Sequence, residues 1–146
     1  RSEIMTKEIR TEITIEATPE KVWNILTDFN AYPDWNPFII SLSGKAEKGS
    51  GLIVKIKPTG GKAMTFKPKV LTAKKHQELS WLGRLFFKGL FDGEHTFELI
   101  DRGNGTLTFV QREKFKGIFV GIFQTEKTES GFHAMNRKLK ALAEAK

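Results

Sequence analysis

The sequence predicts one α+β domain in which an antiparallel sheet, bent over a long C-terminal helix, encloses an apolar pocket. Three observations predict it. The chain opens on a strictly alternating stretch, continues from Ile39 to Phe115 as short apolar runs separated by turn residues, and closes from about Thr125 on a helical period. At 146 residues it suits a single domain, 1–146, large enough to bury a core without metal or disulfide.

Each element carries its own signal. Lys7 to Glu16 sets Ile9, Thr11, Ile13 and Ile15 on one side and Glu8, Arg10, Glu12, Thr14 and Glu16 on the other, the period of a half-buried strand. Residues 1–5 ahead of it read as a flexible or appended N-terminus. Thr18-Pro19-Glu20 starts a helix, with a hydroxyl cap, a proline at the first position and an acid in the first turn. Val22, Trp23, Ile25, Leu26 and Phe29 follow at helical spacing. Asn30 to Pro37 holds two prolines and must turn, with room for a second short helix before Phe38.

The middle of the chain reads as strands. Gly49-Ser50-Gly51 leads into Leu52, Val54 and Ile56, and Gly60-Gly61 into a run of Met64, Phe66, Pro68 and Val70. A break at Lys75 to Gln77 precedes Leu79, Trp81 and Gly83. Asp92-Gly93 reads as a turn before His95, Phe97 and Leu99. Asn104-Gly105 reads as a two-residue hairpin loop before Leu107, Phe109, Gln111, Glu113 and Phe115. In the last helix Phe132, Met135, Leu139 and Leu142 form one stripe, opposite Arg137, Lys138 and Lys140. A sheet with one apolar face must cover it, and this helix is the only long amphipathic element left. A bent sheet and one helix leave space between them for a ligand.

Composition narrows the function. The chain has no cysteine, which excludes disulfides, thiolate metal sites and cysteine nucleophiles and fits a reducing compartment. No stretch approaches the roughly 18 apolar residues of a membrane span, and the first residues lack a signal peptide's apolar core. A cytoplasmic location is expected. The net charge of +7 comes from bases spread along the chain, with no run longer than Lys74-Lys75, so a solvated surface is expected and no nucleic-acid partner. Twelve Phe against one Tyr suggest a large, dry interior. No His, Asp and Glu spacing suits a metal, and no phosphate-cradling or dinucleotide-binding glycine motif or nucleophile elbow occurs, so no metal and no cofactor are expected.

A family resemblance runs through nearly the whole chain. It rests on Ile13, Ala17, Pro19-Glu20, Val22-Trp23, Leu26-Thr27-Asp28-Phe29, Tyr32-Pro33 and Trp35-Asn36-Pro37-Phe38. It continues in Gly93-Glu94-His95-Thr96-Phe97-Glu98-Leu99, in Thr108 to Gly117, and in the last helix around Phe132, Met135-Asn136 and Leu139-Lys140. On these residues the chain resembles the START-like (SRPBCC, Bet v 1-like) superfamily, and within it the small polyketide cyclase/dehydratase-type proteins. The resemblance implies a helix-grip fold, a curved antiparallel sheet gripping the last helix around a cavity. It also implies a hydrophobic guest such as a lipid, sterol, polyketide or hormone, and in a minority of members cyclase, dehydratase or hydroxylase-subunit activity.

Strand parity places three polar residues, His95, Gln111 and Glu113, on the inner face of adjacent strands. Two readings stay open. They satisfy one another and orient a ligand, as buried polar groups usually do, or His95 and Glu113 work as a general acid–base pair. Trp81, Phe97, Phe109, Phe115, Phe132 and Met135 are expected to line the interior, with Trp35 and Phe38 closing one side. Glu94 and Glu98 are expected outside, His76 in a solvated turn, and His133 packed or exposed at the edge of the helix stripe. The apolar segments 85–91 and 117–123 read either as a lid or membrane-touching rim, or as extensions packed into the core.

The primary expectation is binding of a hydrophobic small molecule by a monomer or homodimer, with transient membrane contact through the apolar segments and no transmembrane segment. The alternative is a cyclase/dehydratase-like enzyme using His95 and Glu113. A second alternative is a protein-interaction domain of the Hsp90-activator type, which the basic charge disfavours.

Overall fold

The computed structural model describes residues 4–85, 91–117, 120 and 125–146. The first strand, β1 (Met5–Ile15), pairs along its length with the last, β8 (Thr106–Gly117). Met5 therefore belongs to the sheet, opposite Gly117. The main sheet is antiparallel and completed by β7 (Phe91–Gly103), β6 (Glu78–Leu85) and β5 (Lys69–Lys74), in the order β1-β8-β7-β6-β5. Three short strands, β2 (Ile39–Ser43), β3 (Ile53–Ile56) and β4 (Met64–Phe66), form a second antiparallel sheet. The two sheets are stitched at β5, where Leu52 N–H donates to the Pro68 carbonyl at 2.8 Å and Val70 N–H to the Ser50 carbonyl at 2.9 Å.

Two expectations about strands need correction. The run from Met64 to Val70 is two strands, β4 and β5, which lie in different sheets. Pro68, without an N–H, falls between them and offers only its carbonyl to the stitch. Asp92-Gly93 is not a turn. Both residues lie inside β7, Gly93 opposite Gly83 on one side and Phe115 on the other. Asn104-Gly105 is the two-residue loop expected, with φ of 54° and 75° at its central positions.

Between β1 and β2 the chain forms α1 (Pro19–Thr27), a 3-10 turn (Phe29–Ala31) and the short α2 (Tyr32–Trp35). Thr18 caps α1 by accepting from Lys21 N–H. Tyr32 is fully buried and donates its hydroxyl to the Leu26 carbonyl at 2.5 Å. Burial, and after it Asp28, pushes this phenol far above the ordinary tyrosine range.

The long helix α3 (Glu126–Glu144) lies against β1 and β8 and buries Phe132, Met135, Asn136, Leu139 and Ala143. Leu142, expected in this stripe, is 41% exposed. Four residues past Leu139, Ala143 stays on the stripe, whereas Leu142 rotates off its edge. Gly131 lets the helix approach Phe38, since a Cβ there would come within 2.3 Å of the ring. At the far end Glu144 accepts from Glu16 N–H at 2.7 Å and Lys140 donates to the Thr14 carbonyl at 2.8 Å, tying helix to strand.

The resulting architecture is α+β, a curved antiparallel sheet closed by its C-terminal helix, the helix-grip fold. Of the apolar segments 85–91 and 117–123, residues 86–90, 118–119 and 121–123 lie outside the described residues, while Val120 is fully buried. The expected lid and membrane contact both fall on those segments. Among the described residues no helix is long and apolar enough to cross a membrane.

Candidate functional site

Strand register sorts the inner face of the sheet into rows that run across β6, β7, β8 and β1. One row is Leu79, Phe97, Gln111 and Thr11; the next is Trp81, His95, Glu113 and Ile9; the third begins Gly83, Gly93 and Phe115. Side chains two apart on a strand share a face, so these rows lie side by side under α3.

The polar residues of the first two rows form one hydrogen-bonded chain. His95 Nδ1 lies 3.1 Å from Glu113 Oε1, and His95 Nε2 lies 3.0 Å from Gln111 Oε1. Gln111 Nε2 donates to Asn136 Oδ1 on α3 at 2.7 Å and more weakly to the Phe132 carbonyl at 3.4 Å. Asn136 Nδ2 donates to Thr11 Oγ1 at 2.9 Å, and the Thr11 hydroxyl donates to the Gln111 carbonyl at 2.9 Å. Gln111 and Asn136 are essentially inaccessible, so this pairing is what makes their burial tolerable. Among the described residues the chain opens at its Glu113 end: that side chain keeps 18% of its accessibility, against 4% for His95.

Aromatic rings enclose the imidazole. Trp81 stacks on His95 with centroids 5.3 Å apart and planes 20° from parallel, and Phe97 and Phe132 approach at 4.7 and 5.0 Å. Phe38 reaches the cluster through Phe132, at 5.3 Å. Phe97 stacks on Phe109 at 5.8 Å, and both are fully buried with Met135, which makes this level of the interior packed core. Trp35 stands apart. It packs on Tyr32 at 5.3 Å, and among the described residues its buried indole N–H has no hydrogen-bond partner.

The third row differs. Gly83 and Gly93 face each other on adjacent strands, so two neighbouring inward positions carry no side chain. A Cβ built on Gly93 would stand 2.6 Å from Glu113 Oε2 and 3.6 Å from Phe115 Cδ1; one on Gly83 would, among the described residues, meet only Pro68 Cβ, at 3.6 Å. The second oxygen of Glu113 therefore lies directly over this backbone floor.

Sequence parity thus brings together His95, Gln111, Glu113, Trp81, Phe97, Phe115 and Phe132. It missed Thr11 and Asn136 as members of the chain, and Gly83 and Gly93 as the floor. The signals were present: a glycine inside a strand marks a close backbone approach, and Asn136 is a polar residue in an apolar helix stripe. Glu94 is exposed and Glu98 half-buried. His133 is exposed and sits 3.8 Å from Glu129. His76 lies in its turn at φ 65° and is half-exposed, with its Nε2 buried and without a hydrogen-bond partner among the described residues. Among the described residues no group of three His, Asp or Glu could hold a metal ion. A separate open groove of about 900 Å³ lies at the opposite end of β6 and β7, lined by residues such as Thr18, Lys74, Gln77 and Glu98.

Solved structures share this architecture. The chain superposes on a norcoclaurine synthase from Thalictrum flavum, in complex with dopamine and hydroxybenzaldehyde, with a TM-score of 0.72 at 16% identity, covering 95% of this chain and 87% of the other. The Zhui aromatase/cyclase of a Streptomyces species gives 0.75 at 13%, covering 96% and 94%. A START superfamily protein from Mycobacterium smegmatis gives 0.71 at 18%, covering 94% and 97%. No curated protein matches the sequence. A family model described as polyketide cyclase / dehydrase and lipid transport matches residues 6–144. Strand order, gripped helix and this match together show that the chain belongs to the polyketide cyclase / dehydrase and lipid transport family.

Proposed function

We propose that the protein binds a hydrophobic small molecule on the inner sheet face, seated over Gly83 and Gly93 and against Trp81, Phe115 and the His95–Glu113 pair. The observation that carries this reading is the facing glycine pair. Elsewhere on the inner face large side chains fill the space; at Gly83 and Gly93 the sheet offers backbone alone, bordered by Pro68, Phe115 and the partly open Glu113 carboxylate, with half-buried Lys7 in the same row. A greasy body on that floor with one polar group toward Glu113 fits the usual make-up of a ligand site, mostly apolar with few placed polar contacts. Membership of the family supports a hydrophobic guest. Native mass spectrometry after gentle isolation tests the reading. A bound apolar compound that organic extraction removes is expected, and Gly83→Leu, which fills the floor, abolishes it. Retention of the same compound by Gly83→Leu contradicts this placement.

A specific observation favours a second reading. His95 Nδ1 and Glu113 Oε1 are within hydrogen-bond reach and the Glu113 side chain keeps partial access to solvent, the arrangement of an acid–base pair beside a substrate. On this reading Glu113→Gln stops turnover of the bound compound while leaving its binding within a few-fold.

A further inference from the structure

The hydrogen-bonded chain has a direction. Two backbone carbonyls, those of Gln111 and Phe132, can only accept. The Thr11 hydroxyl spends its proton on the first, so its oxygen accepts from Asn136 Nδ2. Asn136 then turns Oδ1 toward Gln111, whose Nε2 faces both Asn136 Oδ1 and the Phe132 carbonyl. Gln111 Oε1 is left pointing at His95 Nε2, 3.0 Å away, and that nitrogen must carry a proton. The other ring nitrogen faces a carboxylate oxygen, Glu113 Oε1, at 3.1 Å. Without a shared proton, lone pairs would confront each other across this contact.

We propose that Thr11, Asn136 and Gln111 are positioning residues that lock His95 as an Nε2–H donor, so that His95 and Glu113 form an imidazolium–carboxylate pair whose second oxygen, Oε2, offers a hydrogen-bond acceptor to the ligand. The proton sits on His95 rather than on Glu113 because the rings of Trp81, Phe97 and Phe132 surround the imidazole within cation–π range, while Glu113 keeps partial access to solvent. Among the described residues Glu113 is the one charged side chain within hydrogen-bond or ion-pair distance of the imidazole. Oε2 over Gly93 then selects a guest whose polar group is a donor, a phenolic or enolic hydroxyl on an apolar ring system, over one that offers only a carbonyl or ether oxygen. This ligand class rests on the pocket reading above; the locked imidazolium does not.

Two measurements separate the parts. In 15N NMR of the histidine side chains at neutral pH, both His95 nitrogens carry protons. In Gln111→Met, which removes the acceptor facing Nε2, that nitrogen loses its proton and Nδ1–H alone remains, directed at Glu113. Gln111→Glu, which keeps an acceptor there, retains both. Wild-type protein with Nε2 unprotonated overturns the lock, and Nδ1 unprotonated overturns the ion pair. A Gln111→Met spectrum identical to wild type, from a variant whose amide dispersion shows it folded, overturns the positioning role. For the ligand class, 2-naphthol is expected to bind about 10-fold or more tightly than 2-methoxynaphthalene, as a hydrogen bond to a charged acceptor allows, and Glu113→Met removes the difference. Equal binding of both overturns the donor class and leaves the pocket standing. Binding of neither overturns the pocket, while the nitrogen spectra still decide the lock.

Discussion

Glu113 Oε2 lies over the backbone of Gly93 on the neighbouring strand, so close that a methyl group there would stand 2.6 Å from it. The contact is with the far end of a flexible side chain, and Gly93 sits in extended strand backbone that alanine adopts freely. Gly93→Ala is therefore expected to leave the melting temperature within a few degrees of wild type and to push Glu113 off His95. Binding of an apolar probe bearing a hydroxyl should weaken several-fold. Gly83→Ala is the control: among the described residues its Cβ meets only Pro68, at ordinary contact distance, so it should leave the His95 nitrogen signals unchanged.

Gly131 and Phe38 test how closely α3 is gripped. Alanine in a helix is ordinarily about 0.5–1 kcal/mol better than glycine. Here its Cβ would fall 2.3 Å from Phe38 Cδ1 in a fully buried contact. Gly131→Ala is expected to destabilise by about 1–3 kcal/mol, the usual cost of overpacking. Combined with Phe38→Leu it should cost clearly less than the sum, a coupling that chemical denaturation of the two single variants and the double variant measures.

Asn136 joins sheet to helix through two hydrogen bonds. Asn136→Leu leaves Thr11 Oγ1 without a donor and Gln111 Nε2 with only its weak contact to the Phe132 carbonyl, and a loss of about 3 kcal/mol is expected. Adding Thr11→Val removes one orphan and should recover part of it, because replacing both members of a buried polar pair costs less than replacing one. Urea unfolding of the two variants checks the order.

The C-terminal tie of α3 gives a pH dependence with a definite sign. Glu144 is held below the ordinary carboxylate range, first by the Glu16 N–H and then by Lys140. A group whose folded value is depressed stabilises fully above its unfolded value, and the contribution is lost as pH falls through the folded one. Wild type should therefore lose its stability advantage over Glu144→Gln on acidification below the ordinary carboxylate range and keep it at neutral pH. Parallel melts across that range read the difference.

Much of this fold was legible because its signals are periodic. Alternation in β1 and β8 and the Asn104-Gly105 loop set the register that brings His95 to Glu113, and parity alone placed both inside. What escaped was what periodicity does not encode. Pro68 splits one apolar run between two sheets because of a missing N–H. Asp92-Gly93, a turn pair by composition, became strand because β6 and β8 supply ladder partners on both sides. The floor was hidden for a related reason. Gly83 and Gly93 are ten residues apart in sequence, and only the pairing of β6 with β7 sets them face to face. Asn136 hid in the helix stripe beside Met135, its role visible only once Thr11 and Gln111 stand opposite.

The central claim is the location of the ligand, and an amide and side-chain NMR titration with 2-naphthol tests it most directly. Saturable shifts are expected to be largest at Gly83, Gly93 and Glu113 and in the His95 ring, with Thr18, Lys74 and Glu98 unmoved. Shifts gathered instead around the groove at Thr18, Lys74 and Glu98, or no saturable shift at Gly83 and Gly93, would contradict the account.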